Sequence, residues 1–218
     1  MNVVCVKYGT KYGADYVIRL RNMVARHLPR GHTFTCLTEA SVEGISCGAL
    51  PCDLPGWWAK VGLFKPGVST GPTLYLDLDV VITAEIKLPE LGENVWALDD
   101  FSYSLLTPKP NVDVYTRRLL GGSGTVNSSV MYWRGDVGRK VWDDFKPDVM
   151  KELHGDQNWI TRCLWPDKIS LFPPGLACSF KYHVDRGVKP APITVFHGSP
   201  KPSDLSSRHP LRVLWEAA

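Results

Sequence analysis

A chain of 218 residues with 44% hydrophobic and 22% charged side chains is long enough to bury a sizeable core without disulfides, and ordinary for a globular protein. Its formal net charge of +3, with no dense Lys/Arg block, suits a phosphate-bearing substrate but does not demand nucleic acid. No stretch approaches the roughly 18 uninterrupted apolar residues that suggest a membrane span, and the opening VVCVKYG lacks a signal-peptide pattern, so a cytoplasmic protein with no stable membrane insertion is expected.

Val3 to Val6 is a β-branched run followed by the turn residues Tyr8-Gly9-Thr10. Tyr16, Leu20, Met23, Val24, His27 and Leu28 then recur at helical spacing until Pro29-Arg30-Gly31 stops the pattern, and Thr33 to Thr38 alternates like a second strand. Strand, helix, strand predicts a parallel α/β beginning. Gly44 to Pro55 reads as loop, Trp58 to Lys65 as a short helix, and Thr73 to Ile82 (TLYLDLDVVI) as the most strand-like segment. A further strand is expected at Val95 to Leu98, then a long loop from Phe101 to Gly124 with a helical turn near Tyr115 to Leu120. Thr125 to Trp133 reads as a strand, Val137 to Phe145 and Asp156 to Leu164 as helices, and Ile169 to Phe172 and Ile193 to Phe196 as short late strands. The six cysteines include no Cys-x-x-Cys pair and two lie in strand-like runs, which reads as reduced thiols. No repeat or linker divides the chain, so residues 1–218 are taken as a single domain.

Asp77-Leu78-Asp79 is set in the apolar run. On an extended chain the two carboxylates would share one side, a costly arrangement unless a cation or donors compensate it. A hard divalent ion joining carboxylates to substrate phosphates is the usual answer; a solvated strand end is the plain alternative. Phe196-His197-Gly198 follows a strand, with Lys201 three residues on. Imidazole beside two carboxylates favours manganese over magnesium, Gly198 admits a close phosphate, and Lys201 supplies a point charge. Asn127-Ser128-Ser129 opens a strand, and Gly155-Asp156-Gln157 opens a helix. These are polar groups of the kind that recognise sugars, or else a strand-edge turn and a helix cap.

The order of these pieces is similar to that of the GT-A fold glycosyltransferases. The motif layout resembles family 8, the group of glycogenin and the bacterial lipooligosaccharide galactosyltransferases. A looser set of bacterial and phage proteins shares YGxxY, Gly-Trp-Trp-x-Lys and the Phe-His-Gly ending. The resemblance runs from Val4 to Pro202. It implies an α/β, Rossmann-like GT-A domain, with a mixed, mostly parallel central sheet flanked by helices, in a bacterial or phage-infected cell. It implies metal-dependent sugar transfer, with retention, from a nucleoside-diphosphate sugar (UDP-sugar favoured) to a glycan, a protein or a modified DNA base. Residue by residue, Val6, Lys7, Tyr8, Gly9, Thr10 and Tyr12 would hold the nucleoside, with Lys60 near the donor sugar or phosphates. Asp77, Asp79 and His197 would bind Mn2+ (or Mg2+), with Leu78 beside the donor and Gly198 and Lys201 on the diphosphate. Asn127 and Ser128 would touch donor sugar or acceptor, and Asp156 and Gln157 would be the catalytic pair. The chain departs from family 8 at Ser128-Ser129, where Asn-x-Gly-Val is common, and at Ser203, where Trp follows Lys-Pro. Two rival readings are kept: a haloacid-dehalogenase-like phosphatase using Asp77 as nucleophile and Asp79 as general acid, and a non-catalytic nucleotide-sugar-binding module.

Overall fold

The computed structural model describes residues 1–101 and 125–218. The loop and helical turn expected between Phe101 and Gly124 lie outside the described residues from residue 102 on.

The first strand, β1 (Asn2–Lys7), is joined through helix α1 (Ala14–His27) to β2 (Thr33–Thr38), and the two strands pair in parallel with Cys5 opposite Cys36. The helix buries Tyr16, Val17, Leu20, Met23 and Val24 along one stripe, and Asp15 pairs with Arg19 at 2.9 Å on the outer side. It ends where Leu28 turns extended ahead of Pro29. A two-residue strand, β3 (Cys47–Gly48), extends this edge within a segment that reads as loop. On the other side of β1 lies β4 (Pro72–Leu76), also parallel. Then come β7 (Asn127–Arg134), antiparallel to its neighbours, β6 (Val95–Leu98) and β8 (Ile169–Leu171). The seven strands run β3-β2-β1-β4-β7-β6-β8, and only β7 is reversed.

Alternate residues sort onto the two faces, as a period of two requires. Val3 and Cys5, Leu74 and Leu76, and Val130 and Tyr132 face one core. That core is covered by α1, by the last helix α5 (Pro210–Glu216) and by a small sheet ordered β5-β10-β9 (Val80–Ile82, Ile193–Val195, Ala177–Ser179). Val4, Tyr75, Met131 and Trp133 face the other. The second core is covered by a 3-10 segment (Gly56–Phe64), the short helices α2 (Lys140–Asp143) and α3 (Val149–Glu152), and α4 (Asp156–Leu164).

Several sequence expectations change, and the helix expected at Val137 to Phe145 is helical only over Lys140–Asp143. The run TLYLDLDVVI is two strands in two sheets. After Leu76 the Asp77 amide still donates to the Ser129 carbonyl at 2.9 Å, but the chain then turns and Val80–Ile82 pairs antiparallel with β10. The two aspartates therefore sit in a turn rather than on one side of an extended strand. The segment from Trp58 to Lys65 is 3-10 rather than α-helical, and α3 and β9 carry no strong periodicity that would have marked them. No helix among the described residues is long and apolar enough to cross a membrane.

Candidate functional site

The site is assembled on one rim of the large sheet, where β1 and β4 end. Because β7 runs the other way, its first residues lie at the same rim. Beyond β1 the Lys7 ammonium donates to the Gly9 carbonyl at 3.0 Å. Gly9, at φ 63°, donates its amide to Glu39 at 2.9 Å, which fixes the Tyr8–Tyr12 loop over the rim. Asp77 and Asp79 follow β4, and Asn127 and Ser128 open β7. Gly155 precedes α4, which starts at Asp156. The end of β10 delivers His197, Gly198 (φ 70°) and Lys201. These pieces surround a cavity of about 750 Å³, in the size range of small-molecule sites.

At the floor, the Lys60 ammonium lies 2.9 Å from Asp77 Oδ1, 3.5 Å from Asp156 Oδ2 and 3.2 Å from Ser128 Oγ. Ser128 donates to Asp156 at 2.6 Å, and Tyr75 donates to Asp77 at 2.5 Å. Burial alone would raise the Asp77 carboxyl, but the Lys60 charge and the Tyr75 hydroxyl outweigh it and hold Asp77 below its usual range. For Asp156 burial wins over Lys60 and Ser128, and its carboxyl is pushed up. Burial opposes the charge on Lys60, yet Asp156 and Asp77 together raise its affinity for the proton.

A second cluster surrounds Asp79. Lys201 donates to Asp79 Oδ2 at 2.5 Å and to the Phe196 carbonyl at 2.8 Å, and the Tyr12 hydroxyl donates to the same carboxylate at 2.7 Å. Burial and the adjacent Asp79 charge drive the Tyr12 phenol far above its usual value, so it stays a donor. His197 pairs through Nε2 with Ser179 Oγ at 2.7 Å, and its ring stacks on Phe101 with centroids 5.8 Å apart. Burial first, then Lys181, lowers its proton affinity, which favours neutral imidazole.

No protein-family model matches the sequence, and neither does any curated protein. Solved structures do match in fold. The galactosyltransferase LgtC, solved in complex with donor and acceptor sugar analogues, is 17% identical with a TM-score of 0.66, over 100% of this chain and 96% of that one. The glycosyltransferase GlyE of Streptococcus pneumoniae TIGR4 is 16% identical with a TM-score of 0.61, over 99% of this chain and 60% of its own. The bifunctional glycosyltransferase WbbM is 12% identical with a TM-score of 0.57, over 92% of this chain and 46% of its own.

The fold is that of the GT-A glycosyltransferases.

Within this GT-A fold, the structure brings all but one of the residues singled out in the sequence to one cavity. Val6, Tyr8, Gly9, Thr10, Tyr12, Lys60, Asp77, Leu78, Asp79, Asn127, Ser128, Asp156, Gln157, His197, Gly198 and Lys201 all line it. Lys7 does not; its ammonium holds the Gly9 carbonyl. Asp156 is no helix cap: Gly155 takes the cap position, and the Asp156 side chain turns to Ser128 and Lys60. Gln157 donates to Thr125 at 3.3 Å.

Two carboxylates and an imidazole are the donor types a divalent ion takes. As placed, each is already engaged: Asp77 by Lys60, Asp79 by Lys201, His197 by Ser179. Among the described residues no three His, Cys, Asp or Glu side chains are gathered closely enough to hold an ion. The donor set fits in chemistry, and Lys201, bonded to both Asp79 and the Phe196 carbonyl, is a cation standing in the same field. Several partners of these residues carry little mark in the sequence. Tyr75 was legible, because period two puts it on the side of Asp77, whereas Ser179 and Tyr182 sit in a segment with no pattern.

Proposed function

We propose that the chain is a glycosyltransferase that moves a sugar from a nucleoside diphosphate, UDP favoured, to an acceptor hydroxyl, with residues 1–218 acting as one catalytic unit. One observation carries the reading: segments at 77–79, 127–129, 155–157 and 197–201 meet around a single cavity on a GT-A fold. The donor and acceptor sugar analogues bound by LgtC, which shares the fold, support a sugar donor and a sugar-like acceptor here.

In the reaction the bond between the anomeric carbon and the β-phosphate oxygen breaks and a bond to the acceptor oxygen forms. The acceptor's proton leaves with the diphosphate or to solvent. Negative charge grows on the departing phosphate, and Lys201 is the side chain positioned to meet it once it exchanges Asp79 for phosphate oxygen. Asp77, Asp79 and His197 would hold a divalent cation, Mn2+ or Mg2+, which when bound offsets the same charge. The first rim loop, Val6 to Tyr12, takes the nucleoside. Lys60 and Ser128 fix the Asp156 carboxylate beside Gln157, where the reacting sugar face is expected. The family 8 motif layout supports retention of anomeric configuration.

A thermal-shift screen of nucleoside-diphosphate sugars with and without manganese tests this. A donor at one hundred times its Kd stabilises by about 2.7 kcal/mol, so a cognate donor gives a clear rise in Tm. Asp79→Ala is expected to lose the manganese-dependent part of the rise and the turnover with it. A screen in which no nucleoside-diphosphate sugar moves Tm overturns the reading, and full manganese-dependent turnover by Asp79→Ala removes the metal assignment alone.

A further inference from the structure

Four large hydrophobic side chains are exposed among the described residues: Trp57, Val188, Val213 and Leu214. Only Trp57 lines the cavity, and it is the only aromatic among them. An indole left 49% exposed at the mouth of a polar site forgoes the burial that its neighbour Trp58 obtains at 6%. The 3-10 turn explains the split. Residues three apart eclipse one another, so Trp57 stands over Lys60 on the cavity side while Trp58 turns into the core beside Phe145.

The position of Trp57 along the rim is informative. The strand order sets β1 with its nucleoside loop on one side of Asp77, and β7 with Asn127 and Ser128 on the other. Trp57 belongs to the second side. Its ring lies 6.0 Å from that of His154, and a Cβ added at Gly155 would fall 3.1 Å from its Nε1. Glycine at 155 thus lets the indole lie against the backbone that leads into Asp156 and Gln157. The result is a flat aromatic surface beside the proposed reacting carbon, at the end away from the nucleoside.

The charge at that end separates the acceptor classes. Among the described residues the cavity's lysines are Lys11, Lys60 and Lys201. Lys11 and Lys201 lie by Tyr12 at the nucleoside end, and Lys60 is already paired with two carboxylates. A polynucleotide would need phosphate partners around the aromatic surface. A pyranose needs an apolar plate for its C–H face and directional groups for its hydroxyls, which Trp57, Gln157 and the buried Asp156 provide.

We propose that Trp57 is the stacking platform for a pyranose ring of the acceptor, so that the acceptor is a glycan. This rests on the transferase reading for its orientation. The test uses the full chain with UDP present and a panel of free disaccharides (lactose, maltose, cellobiose, N-acetyllactosamine), read by saturation-transfer NMR. The expected result is saturation of ring C–H protons in at least one disaccharide, with Trp57→Ala weakening its binding by about tenfold and Trp57→Phe by less than about threefold. Equal binding by the parent and Trp57→Ala overturns the proposal. So does a panel in which no disaccharide binds, while a hydroxymethylated oligonucleotide or a peptide tested beside it does. The rise in Tm across the screen of nucleoside-diphosphate sugars separates the two claims. A rise with Trp57-independent sugar binding sinks the platform alone, whereas Trp57-dependent sugar binding without a rise keeps the platform and sinks the transferase.

Discussion

Removing the ammonium of Lys60 would leave the carboxylates of Asp77 and Asp156 facing each other in a space where Lys60 itself is 7% exposed. An unpaired buried charge is destabilising far beyond the net worth of the pair it came from. Lys60→Met is therefore expected to lose about 3–5 kcal/mol in urea unfolding. Adding Asp156→Asn to it should recover part of that loss, because one of the stranded charges is then gone. Equal stability of the single variant and the parent would show that solvent, and not Lys60, compensates these carboxylates. At this scale the sequence was readable where chemistry and spacing coincide. Asp77 and Asp79 stood out as paired carboxylates inside an apolar run, and His197 and Lys201 as polar groups just past a strand. The identities of their partners were not readable, because Lys60 reaches Asp77 across 17 positions and Tyr12 reaches Asp79 across 67.

The helix α4 was legible because its periodicity and its buried face agree, and β2 and β6, which bury both faces, because they are short strand-like runs between turn residues; all three have the bounds that the pattern predicts. The break inside TLYLDLDVVI was hidden because both halves are apolar and strand-like, and what parts them is a change of pairing partner that only the tertiary fold supplies. The 3-10 segment was hidden for a different reason. Seven of its nine residues are buried, so no amphipathic stripe announces its pitch. Its placement depends on close packing at Gly62, where an added Cβ would come within 2.7 Å of Cys52 Sγ and 3.0 Å of Pro51 Cγ. Gly62→Ala should cost about 1–3 kcal/mol in unfolding and displace the element that carries both Trp57 and Lys60. Cys52→Ala on the same background should return part of the stability, and a stable Gly62→Ala protein would mean that the Pro51–Cys52 loop yields freely.

Across the whole molecule, the chain's last helix closes the core that its first helix opens. Trp215 is 1% exposed, packs edge-on against Tyr16 with centroids 4.8 Å apart, and lies under the Arg19 guanidinium at 3.9 Å. Tyr16 in turn bonds Ser203 at 2.7 Å, just beyond the Lys201 segment. Trp215→Ala is expected to lower stability by about 3–5 kcal/mol by equilibrium unfolding. A loss under 1 kcal/mol would show that this helix is an ornament on an independently stable body.

The turn at residues 77–79 also divides labour. Asp77 belongs with Lys60, Tyr75 and Asp156 on the large sheet's side, whereas Asp79 belongs with Lys201 and the end of β10 on the small sheet. One dipeptide step thus yokes two mechanical bodies. Alterations in β9 or β10 reach the phosphate-facing half through Asp79, and alterations under Trp57 reach the sugar-facing half through Asp77, so grip on the leaving group and choice of recipient can drift independently in one small protein.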